Sequence, residues 1–130
     1  MNFTSLDANV VLRLILEDVP DQSRRARRVI DKSKCYVTDV VTNEVVYVLE
    51  RVHRFERILI VRLMTTFFAL ETVHHNEELI TAAFRLYLKS PSLSLADCYS
   101  AVESHSFGHD LLTFDKALIR HGGGHVKEPK

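Results

Sequence analysis

Leu6-Asp7-Ala8-Asn9-Val10-Val11-Leu12-Arg13 is the stretch whose reading decides the fold. Before it, Met1 to Leu6 reads as a short first strand. After it, Val10, Val11, Leu12, Leu14, Ile15 and Leu16 cover most of the surface of a helix over Asn9 to Glu17, so that helix must be largely buried. A carboxylate and an amide thus flank an otherwise apolar strand-to-helix junction. The placement recurs: Glu44, Asp97 and Asp115 each lie where a strand-like run gives way to a helix, or in a helix's first turns. In a sheet of parallel strands the carboxyl ends of the strands and the amino ends of the following helices share one edge, so such residues are expected to converge. Carboxylates within a few Å of one another stay ionised together only if a cation neutralises them. No lysine or arginine recurs beside them except Lys116, which predicts a divalent metal.

Outward from that junction, Pro20 opens a second helix with Asp21 in its first turn, where negative charge suits the helix dipole, and an arginine-rich surface facing water. Cys35-Tyr36-Val37-Thr38 is a β-type run. Asp39 is placed to cap a helix over Val40 to His53, in which Val41, Val45, Val48, Leu49 and Val52 repeat at helical spacing and Glu44 lies on the early turns. Phe55 to Leu70 continues as a helix, and Glu71 to His74 reads as a weak strand. Asn76 caps a helix through Lys89, which Pro91 forbids from continuing, and a helix from Ser94 to about Ser106 is stopped by Gly108. Asp110 to Thr113 is a strand, and Phe114-Asp115-Lys116 turns into a short helix ending near His121. Such alternation predicts an α/β domain over 1–121 with a central, mainly parallel β-sheet flanked by helices. Residues 122–130, with the Gly122-Gly123-Gly124 joint, are expected to be a flexible tail or a frayed edge strand.

The 130-residue length and 46% hydrophobic content suit a single domain with a real core. Lys+Arg and Asp+Glu both number 17, so the chain is not a polycation that binds nucleic acid by bulk charge. Its charge is uneven, however: from Arg24 to Lys34 six cations face Asp31 alone, a local excess of +5. That run is read equally as a solvated face or as a contact for RNA phosphates through Arg24, Arg25, Arg27 and Arg28. Cys35 and Cys98 have no zinc-site spacing and are expected to be reduced thiols. Nothing resembling a secretory leader opens the chain, and its most apolar stretch, Ile58 to Leu70, is interrupted by Arg62, so a cytoplasmic protein without a membrane span is expected.

Each acid also has a purely structural account. Asp7 and Asp115 can serve as helix N-caps, Asp97 completes a Ser94-x-x-Asp97 capping box, and Glu44 can be a dipole-favoured residue. Capping explains why acids occur at helix starts. It does not explain the Leu6-Asp7-Ala8-Asn9-Val10 junction.

Four segments carry a family resemblance: Leu6 to Arg13 as quoted above, Thr42-Asn43-Glu44-Val45-Val46-Tyr47-Val48-Leu49, Leu95-Ala96-Asp97-Cys98, and Leu112-Thr113-Phe114-Asp115-Lys116. In this order and context they resemble a PIN-domain ribonuclease, and within that superfamily the VapC-type toxins of toxin–antitoxin pairs. The resemblance implies a PIN fold and an endoribonuclease dependent on Mg²⁺ or Mn²⁺ that hydrolyses RNA with a metal-activated water. It also implies a homodimer and a small cognate VapB-like antitoxin. By position, Asp7, Glu44, Asp97 and Asp115 match the catalytic, metal-binding quartet, with Asn9 and Thr113 as supporting polar residues. Ser5, Asp39 and the glycine triplet depart from the usual pattern without touching the quartet. All-oxygen ligands independently favour hard cations such as Mg²⁺ or Mn²⁺ over zinc.

Other readings fit less well. A PIN nuclease of RNA maturation, unpaired with an antitoxin, shares every motif, and a catalytically silent interaction domain has no need of four acids. A phosphoacceptor module expects adjacent acids after the first strand, and a haloacid-dehalogenase-type phosphatase needs Asp-x-Asp where this chain has Asn9. Of the seven histidines, His74, His75, His105 and His109 are expected on surface turns, while His121 and His125 flank the glycines as a weak chelating pair.

Overall fold

The computed structural model describes residues 2–130, so Met1 of the expected first strand lies outside the described residues. The chain forms two compact units, one ending at Asn76 and the other spanning Glu77–Lys130.

The first unit runs β1 (Phe3–Ser5), α1 (Ala8–Leu16), α2 (Pro20–Lys32), β2 (Lys34–Val37), α3 (Asp39–Arg51), α4 (Arg57–Phe68) and β3 (Val73–His75). Its three strands form a parallel sheet in the order β1-β2-β3, with Thr4 beside Cys35 and Cys35 beside Val73. Strand alternation sends Cys35, Val37 and Val73 into the core. It sends Phe3, Tyr36 and His74 to the other face, where the Phe3 ring meets Tyr36 at 6.3 Å and His74 at 5.1 Å, edge to face. Burial pushes the Cys35 thiol above its ordinary pKa by desolvation.

The helices follow from local chemistry. Pro20 occupies the first turn of α2, where its missing N–H is no loss. Glu17 ends α1 in the left-handed region at φ 52°, its N–H donating to the Arg13 carbonyl. The cap of α3 corrects the sequence reading: Thr38, not Asp39, is the N-cap, its Oγ1 accepting from the Val41 N–H at 3.3 Å. Asp39 becomes the first helical residue, where its charge still suits the dipole. Thr42 is fully buried in α3 because its hydroxyl donates to the Thr38 carbonyl at 3.2 Å, and Val45, Val46 and Leu49 bury beside it. In α4, Ile60, Met64 and Phe67 repeat at helical spacing and are buried.

The second unit runs α5 (Glu77–Lys89), α6 (Leu95–Ser106), β4 (Leu111–Leu112), α7 (Lys116–His121) and β5 (Val126–Lys127). Its core is the packing of α5 on α6, with Ile80, Ala83 and Tyr87 of one helix and Leu95, Cys98 and Ala101 of the other buried. β4 and β5 pair in parallel, so every described strand pairing is parallel, as expected: the three-stranded sheet in the first unit and this pair in the second. The cause is local. The Leu111 N–H donates to the His125 carbonyl and the Thr113 N–H to the Lys127 carbonyl, both at 2.9 Å, which gives the two-residue strand a partner across α7. Of the two sequence readings of the tail, the strand is the one realised at Val126–Lys127. Gly122 makes the return possible, since a Cβ there would meet the Leu118 carbonyl oxygen at 2.6 Å and Val126 Cγ2 at 2.9 Å. Among the described residues no helix is long and apolar enough to cross a membrane.

Candidate active site

In the first unit Asp7 follows β1 and stands at the N-cap position of α1, exposed to solvent. Its carbonyl accepts the Val10 and Val11 N–H groups at 3.1 and 3.2 Å, but its side chain makes no capping hydrogen bond. The capping account therefore fails for the acid at the junction that decides the fold. Glu44 is exposed on α3, and α3 packs against α1. Beside Glu44, Asn43 donates from Nδ2 to the Asp39 carbonyl at 2.9 Å, while its Oδ1 is buried without a hydrogen-bond partner. The Asp39 carboxylate accepts from Asn76 Nδ2 at 3.0 Å. No periodicity or motif pointed to this Asp39–Asn43–Asn76 arrangement, because it depends on residues 37 positions apart in the chain.

In the second unit both acids do cap helices. Asp97 and Ser94 form the expected capping box at the start of α6. Asp115 Oδ1 accepts the Ala117 and Leu118 N–H groups at 2.9 and 3.1 Å, capping α7, and Thr113 Oγ1 accepts the Asp115 N–H at 3.0 Å. Each cap engages one carboxylate oxygen, Oδ2 of Asp97 and Oδ1 of Asp115, and leaves the second outside it.

The donor set suits a hard cation in kind, being carboxylate oxygens with no thiol or imidazole among them. Among the described residues, however, no three His, Cys, Asp or Glu side chains gather in a way that would hold a metal ion. Asp7 and Glu44 belong to one unit, Asp97 and Asp115 to the other.

The family model for the PIN domain matches residues 5–124. The chain belongs to the PIN-domain family. PIN domains are a nuclease-type fold, generally dependent on divalent metal ions. No curated protein matches this chain.

The arginines of this PIN domain separate into distinct settings. Asp21 faces Arg24 at 3.7 Å and Arg25 at 3.5 Å, Arg27 pairs with Glu17 at 3.0 Å, and Arg28 makes no ion pair among the described residues. All of these pairs are exposed and worth little in water. Arg13, whose role the sequence left unassigned, pairs with Asp18 through a short contact, and its Nε is buried without an acceptor. That hydrogen bond from Arg13 holds the Asp18 carboxyl below its ordinary value.

Several histidines depart from expectation. His74 and His75 lie in β3 rather than on a turn, and the His75 ring stacks on Phe68 at 3.6 Å. His105 belongs to α6. His125 Nε2 lies 2.7 Å from the Ala101 carbonyl and 3.2 Å from Ser104 Oγ, so that nitrogen is committed within its own unit rather than left to chelate. Tyr47 is 62% exposed, because the buried side of α3 is taken by Thr42, Val45, Val46 and Leu49.

Proposed function

We propose that this PIN domain is a Mg²⁺- or Mn²⁺-dependent endoribonuclease acting as the toxin of a toxin–antitoxin pair, with Asp7, Glu44, Asp97 and Asp115 as its cation ligands. The observation that carries the reading is the side chain of Asp7. It stands at a helix N-terminus within the family match, yet caps nothing. A cap explains Asp97 and Asp115 in part, but neither carboxylate oxygen of Asp7 is engaged in a cap. Asp97 and Asp115 contribute the oxygens their caps leave over, and Thr113 fixes the backbone that presents Asp115. A bound hard cation supplies a water of lowered pKa and neutralises charge on the scissile phosphate. A homodimer and a small antitoxin encoded alongside belong to the same reading, which rests on the motif resemblance.

Two experiments test it. Purified protein is incubated with a panel of tRNAs and rRNA fragments, with and without Mg²⁺ or Mn²⁺, and metal-dependent cleavage is expected. Expression of the chain alone is expected to arrest growth, with rescue by the adjacent small open reading frame. Harmless expression of active, folded protein would remove the toxin role and leave a nuclease of RNA maturation.

A further inference from the structure

Between α1 and α2 lies a groove of about 570 Å³, lined on the α1 side by Asn9, Val10 and Arg13 and on the α2 side by Gln22, Arg25 and Arg28. Its volume falls within the range of about 300–1,000 Å³ typical of ligand sites. Its chemistry is one-sided. Three guanidinium-bearing residues and two amide side chains line it, and no acidic residue does. The nearest counter-charges weaken that bias only partly. Arg13 is neutralised by Asp18, Arg25 faces Asp21 at a loose 3.5 Å with both groups about 69% exposed, and Arg28 has no acidic partner among the described residues.

Position adds to chemistry. Asn9 stands in the first turn of α1, two residues after Asp7 in the chain, and Ser23 Oγ donates to the Arg13 carbonyl at 2.9 Å, so the groove extends from the start of α1, the helix that Asp7 opens, to the Arg13 and Gln22 end of the helix pair. The helix that appeared in sequence as a uniform basic run is therefore divided. Arg25 and Arg28 face this groove. Arg24 does not line it, and Arg27 lines a different, mainly apolar groove with Leu14, Ile15, Ile30, Leu63 and Phe67.

We infer that the groove formed by Asn9, Arg13, Gln22, Arg25 and Arg28 binds the phosphodiester backbone of single-stranded RNA and leads the strand to Asp7; this rests on the nuclease reading above. Planar guanidinium forks match phosphate oxygens bidentately, and the Asn9 and Gln22 amides offer both donors and acceptors to a ribose 2′-hydroxyl, the group that separates RNA from DNA. Backbone contacts of this kind position a strand without reading its sequence.

The test uses the full chain carrying Asp7→Asn, in EDTA, with a fluorescein-labelled single-stranded RNA of about 12 nucleotides, within the range of single-strand site sizes. Fluorescence anisotropy is read across a salt series. Arg25→Ala/Arg28→Ala is expected to weaken binding about tenfold and to flatten the slope of log affinity against log salt by about 1.4, at about 0.7 for each phosphate of a single strand that is no longer neutralised. Arg24→Ala/Arg27→Ala removes the same charge from the same helix and is expected to change both quantities much less. Equal losses in the two double variants would reduce the effect to the bulk charge of α2 and overturn the groove. So would unchanged binding by Arg25→Ala/Arg28→Ala. A poly-glutamate peptide that binds the groove more tightly than the RNA would reassign it to an acidic protein partner. Cleavage is read separately on the unmodified chain. If Mg²⁺ and Mn²⁺ elicit none while groove-dependent RNA binding persists, the nuclease reading fails and the groove stands.

Discussion

Asp97 and Ser94 hold each other at the start of α6: Asp97 Oδ2 accepts the Ser94 N–H at 3.3 Å, and Ser94 Oγ accepts the Asp97 N–H at 3.1 Å. This reciprocal pair satisfies two backbone donors that a helix start otherwise leaves open. The same carboxylate is proposed as a cation ligand, so in this protein a structural role and a chemical one share a side chain. Asp7 has no such double duty, and that contrast yields separable outcomes for substitutions.

Asp7→Asn is expected to abolish RNA cleavage while leaving the metal-free melting temperature unchanged or raised, since no side-chain cap is lost and a negative charge is removed. Asp115→Ala is expected to cost about 1 kcal/mol, because the Ala117 and Leu118 N–H groups lose their acceptor. Thermal melts beside a cleavage assay check both. A sharp fall in stability for Asp7→Asn would return that residue to a purely structural role.

Mg²⁺ or Mn²⁺ is expected to raise the melting temperature saturably, by linkage, with a gain of roughly 2.7 kcal/mol at a hundredfold excess over Kd. The gain should shrink in Asp97→Asn and Asp115→Asn. Asparagine can still accept cap hydrogen bonds, so these variants weaken the ligand role while keeping the helix start. Equal shifts in the unmodified chain and both variants would exclude these acids as dominant ligands.

Gly122→Ala is expected to destabilise the protein by about 1–3 kcal/mol, because the added methyl collides with the Leu118 carbonyl and with Val126. Gly124→Ala, with nothing within 4 Å of the new methyl, should stay within about 0.5 kcal/mol. Chemical denaturation of the two variants measures the difference, and equal stabilities would contradict the close return of the tail.

Asp18 supplies a pH signature. Its folded-state pKa is lowered, chiefly by the hydrogen bond from Arg13, so the pairing stabilises the fold above the unfolded pKa and is lost as pH falls through the depressed folded value. Carboxyl chemical shifts followed by NMR should place the Asp18 titration below that of an ordinary aspartate. Arg13→Ala should move it upward; an unmoved midpoint would show that the Arg13 hydrogen bond is not the cause.

The sequence by itself determined the α/β character and the order of elements, because helix and strand periodicities, Pro20, Pro91 and the Ser94-x-x-Asp97 box act over a few residues. It also carried the four motifs that the family match covers. Only the tertiary structure decided which acids are spent on caps, for Asp7, Asp97 and Asp115 all occupy helix starts in sequence and differ only in whether a side-chain oxygen reaches an amide. Cap choice at Thr38 over Asp39, the pairing of β4 with β5, and the division of the α2 arginines between two grooves have the same origin. The strand pairing and the grooves depend on which atoms lie within a few Å across elements, and the caps on whether a side-chain oxygen turns toward an amide two or three residues on; one-dimensional spacing encodes neither.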